Sequence, residues 1–440
     1  MNEEQPVEEQ GKKQPNALAI VVGGGPAPGI NGVIHAATIE AINRGLSVLG
    51  IMDGFKHLVK GKAVTKPLTI DEVSLIHLSG GSILRTSRTN PTQEELPIVV
   101  KTLQSLNVRY LITIGGDDTA STASRLDEHC GGVIKIAHIP KTIDNDLPLP
   151  GGDSTFGFQT ARHVGVSIIQ HLMEDAKTTR RWFFVITMGR KAGHLALGIG
   201  KAAGATLTVI AEEFPNHKKK IPLDDLCMIL IGAILKRRAS DRDYGVAILS
   251  EGLIEKVREK DLEGLEDVER DEHDHIRYAE IDFGRILVRR TQQLLKKMNL
   301  KVTLVSKNIG YELRCADPIP FDLEYTRDLG FGGVLFVLEG RTGAMVSRQA
   351  GRIVPLYMQD YLIPPDNKMR VRFVDITSES YRVARKYMIR LEPEDFYNSE
   401  LIASMAALVS MTPDEFTKKF ERLTPYTPPP ETGEAKTEEK

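Results

Sequence analysis

Gly115-Gly116-Asp117-Asp118 and Pro140-Lys141-Thr142-Ile143-Asp144-Asn145-Asp146 are the two stretches that decide the fold. The first follows the apolar run 110–114 and the second follows the apolar run 133–139. Short runs rich in isoleucine and valine that end at glycine or proline are typical of buried parallel strands. Ligands of open α/β sheets bind beyond the carboxyl ends of the strands, so we expect both acidic clusters to face one crevice.

The four carboxylates of these stretches indicate what binds beside them. Carboxylates packed closely repel each other unless a cation or a proton lies nearby. The sequence therefore predicts Mg²⁺ and an anionic substrate.

A glycine-rich loop, Val22-Gly23-Gly24-Gly25-Pro26-Ala27-Pro28-Gly29-Ile30-Asn31-Gly32, suggests the same chemistry. It follows the apolar run 17–22 and precedes a helical pattern over 33–44. Glycines let the backbone approach a ligand, and a helix N-terminus offers free N–H groups to an anion. The loop fits G-x-G-x-x-G only loosely, and a strand–glycine–helix turn without any ligand is an equally good interpretation of the loop alone.

Length and composition bound the class of protein. The 440 residues suggest two or three domains, and the formal net charge of -2 shows no basic excess typical of nucleic-acid binders. The three cysteines, Cys130, Cys227 and Cys315, are widely spaced, which favours a reducing cytoplasm over a disulfide framework. No apolar run approaches the ~18 residues that span a bilayer.

Strand and helix patterns alternate along most of the chain. Further strands are predicted over 46–52, 182–187, 206–210, 245–250 and 302–306, and further helices over 119–127, 157–175, 223–236, 284–298 and 378–388. This alternation predicts an α/β protein of two doubly wound, Rossmann-like lobes with mostly parallel sheets. We expect polar tails at 1–16 and 425–440, one lobe over 17–155, a second over 156–354 with a charged insertion near 254–280, and an extension over 355–424 to which no chemistry is assigned.

The charged insertion contains Asp271-Glu-His-Asp-His275. A His-x-His pair flanked by acids can bind a metal ion. A run of charges is more often a solvated face, and we favour that interpretation.

In order along the chain, the glycine loop, the stretch 80–88, GGDD, PKTIDND, Met188-Gly189-Arg190 and the stretch 310–314 resemble the phosphofructokinase family. The resemblance covers about residues 17 to 347. ATP-dependent members usually carry glycine at the positions of Asp118 and Lys141, whereas pyrophosphate-dependent members carry aspartate and lysine.

Electrostatics agrees with pyrophosphate as donor. Asp118 would occupy the space of an adenylate's α-phosphate and repel it, and two charges ~4 Å apart at a dielectric constant of ~20 interact by about 4 kcal/mol. Lys141 would stabilise the charge that develops on the transferred group and on the leaving phosphate. Two simpler interpretations remain: Asp118 caps a helix that begins at Thr119, or Lys141 is a solvated loop lysine.

The resemblance implies reversible transfer of a phosphoryl group from pyrophosphate to O1 of fructose 6-phosphate, a step of glycolysis and gluconeogenesis. Asp144 would be the general base, Thr142 would orient the hydroxyl, and Asp117 and Asp146 would organise Mg²⁺. The remaining donor-side residues implied are Gly25, Arg88, Gly116, Asp118 and the catalytic Lys141.

On the sugar side the resemblance implies a second group of residues. Arg181 and Arg314 would bind the 6-phosphate, because a planar guanidinium suits phosphate. The residues expected to contact the rest of the sugar are Thr142, Asp144, Met188, Gly189, the catalytic Arg190, Glu212 and Tyr311. In relatives the counterpart of Arg181 comes from a neighbouring subunit, so a homodimer or higher homo-oligomer is expected. Ala211 stands where relatives often have proline, which weakens the match at Glu212, and Lys307 is a candidate for a further basic residue.

Four alternatives stay open at this point. The chain could be an ATP-dependent kinase of the same fold, could phosphorylate sedoheptulose 7-phosphate, or could be a non-catalytic regulatory subunit. A dinucleotide-binding oxidoreductase would want an acid after the second strand, and Asp53 lies near such a place. TIDND has no role in hydride transfer.

Overall fold

The computed structural model describes residues 16–214, 220–262, 281–365 and 368–424. The predicted tails (apart from Asn16), the charged insertion from residue 263 onward and its Asp271–His275 motif lie outside the described residues. The chain forms two compact units. Of the described residues, the first unit comprises those up to Ile143, those in Leu147–Thr160 and those in Arg314–Val371. The second comprises Asp144–Asp146, the described residues of Ala161–Leu313 and those from Arg372 onward.

The strands and helices alternate as predicted. The strands are β1 Ala17–Val22, β2 Ser47–Ile51, β3 Thr65–Leu68, β4 Val108–Gly115, β5 Lys135–Thr142, β6 Phe156–Gly157, β7 Trp182–Thr187, β8 Leu207–Val209, β9 Gly245–Ser250, β10 Leu304–Ile309, β11 Ala344–Gln349, β12 Arg352–Tyr357, β13 Leu362–Ile363 and β14 Lys368–Met369. The helices are α1 Ile30–Asn43, α2 Ile70–Val73, α3 Leu96–Ser105, α4 Asp117–Cys130, α5 Phe158–Thr179, α6 His194–Ala203, α7 Leu223–Arg238, α8 Glu259–Leu262, α9 Phe283–Lys297, α10 Tyr311–Arg314, α11 Pro320–Leu338, α12 Glu379–Lys386, α13 Ser399–Ala407 and α14 Pro413–Phe420.

The first unit is built on a sheet with the strand order β12-β11-β5-β4-β1-β2-β3, with β6 paired to β5. The pairs from β11 through β2 are parallel, whereas the edge strands β12 and β3 pair antiparallel. Helices cover both faces. Along β1, Ala17, Ala19 and Val21 enter one apolar core, and the residues between them enter the other. Because both faces are buried, the strands are continuously apolar, as parallel strands are expected to be.

The second unit is built on a four-stranded sheet with the order β10-β7-β9-β8, and every pair in it is parallel. Its largest core cluster includes Trp182 and Phe184 of β7 together with much of α7. The two sheets confirm the predicted α/β architecture of two doubly wound lobes.

The C-terminal extension belongs to the core of the second unit. Helix α7 is apolar nearly all round and is buried from Leu226 to Leu235, so it needs cover on the side that faces away from the sheet. Helices α13 and α14 supply that cover, with Met405, Phe416 and Phe420 in the same core cluster. Each such side chain contributes roughly 1.5–3 kcal/mol by leaving water.

The course of the chain between the units differs from a single division near residue 155. Residues 314–371 return to the first unit, because β11 pairs with β5 and α11 packs on α1. The segment Asp144–Asp146 belongs to the second unit although its neighbours on both sides belong to the first. Which unit binds the donor and which the sugar remains a prediction.

Candidate active site

The glycine loop, Asp117 and Lys141 lie at one edge of the first sheet. Strand β4 lies between β1 and β5, and Val22 pairs with Ile114 while Gly115 pairs with Pro140. All three strands are parallel, so their carboxyl ends share this edge. Strand β2 lies on one side of β1 and β4 on the other, so the strand order reverses at β1, which is where open α/β sheets bind ligands.

The glycine loop depends on its glycines for conformation and for space. Gly29 is the N-cap of α1 with φ of 97°, a left-handed value that glycine adopts without strain. A Cβ on Gly23 would lie 2.4 Å from Oγ1 of Thr119, at the start of α4. The Gly24 N–H donates to the carbonyl oxygen of Ser87 at 2.9 Å. The exposed Arg88 is the residue that follows Ser87 in the sequence. The chain segments that carry the predicted donor residues Gly25 and Arg88 are thus hydrogen-bonded to each other.

Asp117 and Asp118 form the first turn of α4. The N-cap is Gly116, so Asp118 does not cap a helix beginning at Thr119, and that alternative is wrong. Carboxylates in a first turn are stabilised by the helix dipole and the free N–H groups. Two acids are therefore held in place beside the glycine loop, where a second negative charge is otherwise costly.

Lys141 is buried, with only 4% of its surface exposed, which contradicts the interpretation as a solvated loop lysine. Its Nζ donates a hydrogen bond to the carbonyl oxygen of Gly25. The ammonium group thus lies directly at the loop that the sequence predicts for the donor. A cation in that place lowers the cost of gathering phosphate oxygens there.

His138, which the sequence analysis did not single out, braces the turn before Asp117. Its Nδ1 accepts a hydrogen bond from Oγ1 of Thr113 at 2.9 Å, and its Nε2–H donates to the carbonyl oxygen of Gly115 at 3.1 Å. Burial, with a smaller effect of the Lys141 charge, lowers the pKa of His138 to about 3. The imidazole is therefore neutral at physiological pH, as this pair of hydrogen bonds requires.

The TIDND motif is divided between the two compact units. Thr142 ends β5 in the first unit, and its carbonyl oxygen accepts a hydrogen bond from Oγ1 of Thr155 at 2.8 Å. Asp144 and Asp146 belong to the second unit and are 8% and 6% exposed. Asn145 between them has φ of 57°, a left-handed value that asparagine tolerates better than most residues. The chain therefore turns between the two carboxylates.

Met188-Gly189-Arg190 lies at the carboxyl edge of the second sheet, directly after β7. The Met188 N–H donates to the carbonyl oxygen of Ile309 at 3.0 Å, and a Cβ on Gly310 would lie 2.8 Å from the Met188 side chain. The MGR motif and the Gly310-Tyr311 motif are therefore in contact, as two parts of one site should be. Tyr311 is 74% exposed at this edge.

Glu251 is a site residue that the sequence analysis missed. It follows β9, and its Oε2 accepts hydrogen bonds from the backbone N–H groups of Gly189 at 3.1 Å and Arg190 at 2.9 Å. Arg190 has φ of 50°, so this carboxylate holds a strained turn. The signal was present in the sequence, since an acid directly after a buried strand is the pattern that singled out Asp117.

Glu212 follows β8 at the same edge, and its Oε1 accepts hydrogen bonds from the backbone N–H groups of Gly193 at 2.8 Å and Val374 at 3.0 Å. Its Oε2 is buried without a hydrogen-bond partner among the described residues. Burial raises the pKa of this carboxyl group. Oε1 of Glu212 thus accepts two hydrogen bonds that hold the backbone. The contact of Glu212 with a sugar hydroxyl stays a prediction.

The two arginines predicted for the 6-phosphate lie in different units. Arg181 directly precedes β7, so the six residues of that strand, about 20 Å of chain, separate it from Met188. Arg314 belongs to the first unit, and its Nη1 lies 3.0 Å from the place that a Cβ on Gly25 would take. The structure therefore brings Arg314 to the glycine loop and leaves Arg181 at the opposite edge of the second sheet from the MGR motif.

Comparison with known proteins agrees with these motifs. The phosphofructokinase family model matches residues 17–337. The chain is 52% identical over 411 residues to a pyrophosphate–fructose 6-phosphate 1-phosphotransferase of Thermotoga maritima, covering 92% of this chain and 97% of the relative. It is 47% identical over 416 residues to a protein of the same name from Naegleria fowleri, covering 92% and 95%.

A solved structure, the pyrophosphate-dependent phosphofructokinase of Marinobacter aquaeolei, superposes with a TM-score of 0.62 over 90% of this chain and 91% of that one, at 17% identity, and supports the fold. The family resemblance predicted from the sequence is confirmed. With a family match over most of its length and a relative at 52% identity, the chain belongs to the phosphofructokinase family.

Proposed function

We propose that this chain transfers a phosphoryl group from pyrophosphate to O1 of fructose 6-phosphate, giving fructose 1,6-bisphosphate and phosphate. The observation that carries the proposal is the buried Lys141 bonded to Gly25, next to a helix that begins with Asp117 and Asp118. The two relatives at 52% and 47% identity both have this activity in their names.

The donor assignment follows from charge. Asp118 adds a negative charge where a nucleotide would place a further phosphate, which disfavours ATP. Lys141 supplies a cation that is fixed in place and shielded from solvent. Such a cation stabilises the compact charge of a leaving phosphate better than a mobile, solvent-exposed lysine does. We assign pyrophosphate binding to the glycine loop with Arg88 and Gly116 beside it.

Magnesium fits the residues on the donor side. Among the described residues no group of three or more His, Cys, Asp or Glu side chains could hold a metal ion. Mg²⁺ is commonly held by one or two carboxylates together with phosphate oxygens and water, so a site that is completed by the substrate suits this ion. We propose Asp117 and Asp146 as its carboxylates. When bound, the ion would neutralise charge on the transferred group.

On the acceptor side, Asp144 removes the proton of the O1 hydroxyl and Thr142 orients that hydroxyl. A general base of this kind contributes about 10²–10⁴-fold to the rate. Met188, Gly189, Arg190, Glu212 and Tyr311 are the residues that we propose to contact the sugar. The hydrogen bond from the Arg190 backbone N–H to Glu251, which holds the turn at Arg190, supports this assignment.

We propose that the enzyme is a homo-oligomer. Arg181 lies at the amino end of β7, about 20 Å of strand away from the MGR motif at its carboxyl end. Within one subunit it therefore cannot reach a sugar phosphate bound at that motif, whereas a neighbouring subunit could supply it. Arg314 remains our second candidate for the 6-phosphate.

A reducing cytoplasm is the compartment that we propose, since all three cysteines are free thiols. Among the described residues, no helix combines the length and the apolar character needed to cross a membrane.

Steady-state kinetics with two donors and two acceptors tests the proposal. Pyrophosphate with fructose 6-phosphate should give the highest kcat/KM, and ATP should be at least about tenfold poorer because of Asp118. A higher kcat/KM with ATP contradicts the donor assignment, and a higher kcat/KM with sedoheptulose 7-phosphate contradicts the acceptor assignment. If neither pyrophosphate nor ATP supports turnover, the chain is a regulatory subunit.

A further inference from the structure

Arg372, the first residue of the C-terminal segment of the second unit, is bonded to the middle of the TIDND motif. Its backbone N–H donates to the carbonyl oxygen of Asp146 at 2.7 Å. Its guanidinium donates to the carbonyl oxygen of Asn145 from Nε at 3.2 Å and from Nη2 at 3.0 Å. The same Nη2 donates to Oδ1 of Asn145 at 2.5 Å.

These bonds act on the residue that lies between the two acids. Asn145 lies between Asp144 and Asp146 with a left-handed φ of 57°, a conformation that asparagine adopts more readily than most residues other than glycine but that is still less favourable than a right-handed one. A planar guanidinium that bonds the carbonyl and the side-chain oxygen of the same residue fixes both its backbone and its side chain.

The segment that carries Arg372 is itself anchored. Its carbonyl oxygen accepts the Nε2–H of His194 at 3.1 Å, and two residues later the Val374 N–H donates to Oε1 of Glu212 at 3.0 Å. Burial, with a further effect of the Arg372 charge, lowers the pKa of His194 to about 4, so the imidazole is neutral and can donate this bond. The backbone that carries the Arg372 guanidinium is therefore held on both sides by hydrogen bonds.

We propose that Arg372 is a positioning residue that holds the Asn145 turn so that Asp144 and Asp146 keep their reactive orientation. The inference rests on the proposed function, which assigns the proton transfer to Asp144. It gives a role to the segment beyond residue 355, for which the sequence predicted no chemistry. Misplacing a reacting group by about 1 Å can cost roughly 10²-fold in rate, so the loss of these bonds should act on turnover.

The test is Arg372→Met in the full chain, with Arg372→Lys as the conservative variant and Arg370→Met as the control. Arg370 is an exposed arginine whose backbone N–H donates to the carbonyl oxygen of Tyr361 at 2.8 Å. We expect Arg372→Met to lower kcat about 10- to 100-fold while KM for both substrates changes less than about threefold. Arg372→Lys should recover part of the loss, and the control should match the wild type. A kcat at the wild-type level for Arg372→Met overturns the inference.

A double-mutant cycle with Asp144→Ser separates this inference from the proposed function. If Arg372 acts through Asp144 and Asp146, adding Arg372→Met to Asp144→Ser should lower kcat by clearly less than Arg372→Met lowers the kcat of the wild type, because only the effect through Asp146 is left. If Arg372→Met lowers kcat by the same factor in the Asp144→Ser variant as in the wild type, the inference is overturned while Asp144 remains the base. If Asp144→Ser alone keeps wild-type turnover, the proposed base is wrong and the inference falls with it.

Substitutions at Asn145 test the same claim without touching Arg372, should Arg372→Met fold poorly. Both variants lose Oδ1, but Asn145→Gly keeps access to the left-handed turn and Asn145→Ala does not. We expect the alanine variant to lose about tenfold more kcat than the glycine variant. Equal kcat values for the two variants contradict a role for the turn.

Discussion

The ammonium group of Lys141 donates a hydrogen bond to the carbonyl oxygen of Gly25, which ties the end of β5 to the glycine loop that follows β1. The two residues are far apart in the sequence and meet because β1, β4 and β5 are neighbours in one parallel sheet. The bond places a buried cation at the loop that we assign to the phosphoryl donor.

Lys141→Met should lower kcat/KM for pyrophosphate about 10²–10³-fold, the usual loss when one fixed donor to a developing charge is removed. KM for fructose 6-phosphate should change little. Lys135→Met, at the opposite end of the same strand, is the control and should retain activity.

Replacing both Asp118 and Lys141 by glycine should likewise impair the use of pyrophosphate, and intact pyrophosphate kinetics in that variant would refute our account of the donor.

Asp144→Ser should lower kcat by at least about a hundredfold, because it removes the group that accepts the hydroxyl proton. The affinity for fructose 6-phosphate, measured by calorimetry without donor, should stay close to that of the wild type. Turnover within about threefold of the wild type would exclude Asp144 as the base.

Glu213→Gln should destabilise the second unit by about 3–5 kcal/mol, because it removes the carboxylate paired with the buried Arg390 and one of the two carboxylates paired with Arg385. Glu213 is ion-paired with Arg385 and Arg390, and all three side chains are no more than 6% exposed. The measurement is denaturant unfolding. Glu379→Gln is the control, since Glu379 pairs with Arg382 on the surface and should matter by less than about 1 kcal/mol. Equal losses in the two variants would show that the buried cluster does not hold the C-terminal extension.

Acidification should destabilise the protein between about pH 6.5 and pH 4, through its buried histidines. The pKa of His138 falls to about 3 and that of His194 to about 4, so the folded state binds fewer protons than the unfolded state throughout this range. The free energy of unfolding should fall by about 1.4 kcal/mol per pH unit for His138 alone. It should be insensitive to these histidines above about pH 7.

Unfolding measured across this range checks the pH prediction. His138→Asn should flatten the dependence, and the exposed His171→Gln should leave it unchanged. A His138→Asn variant with the full wild-type slope would contradict the assignment to His138.

The strands that end at the site could be predicted from the sequence. The distant residues that form hydrogen bonds with the site residues could not. Apolar runs before Asp117 and Met188 predict buried strands whose carboxyl ends carry function, and the structure has strands at both places. Bonds such as that of Arg372 to Asn145 join residues more than two hundred positions apart, and no local pattern encodes them. Glu251 could have been found, because it follows a buried strand in the same way as Asp117.

Helices α6 and α11 are not among the helices predicted from the sequence, and their glycines give a physical reason. Helix α6 contains Gly198 and Gly200, and α11 contains Gly330, Gly332 and Gly333, and glycines weaken a helical pattern in the sequence. In the structure some of these glycines give room for tight packing. A Cβ on Gly330 would lie 2.7 Å from the carbonyl oxygen of Val33 in α1. These helices are stabilised by tertiary packing, which cannot be read from a single sequence.

The donor claim is tested most directly by letting both donors compete in one tube. The enzyme is mixed with fructose 6-phosphate, Mg²⁺ and equal concentrations of pyrophosphate and ATP, and the phosphorus species are followed by ³¹P NMR. Our account predicts that the pyrophosphate signal gives way to phosphate and fructose 1,6-bisphosphate while the three ATP signals persist. Loss of the ATP γ-phosphate signal with the appearance of ADP, while pyrophosphate remains, would contradict it.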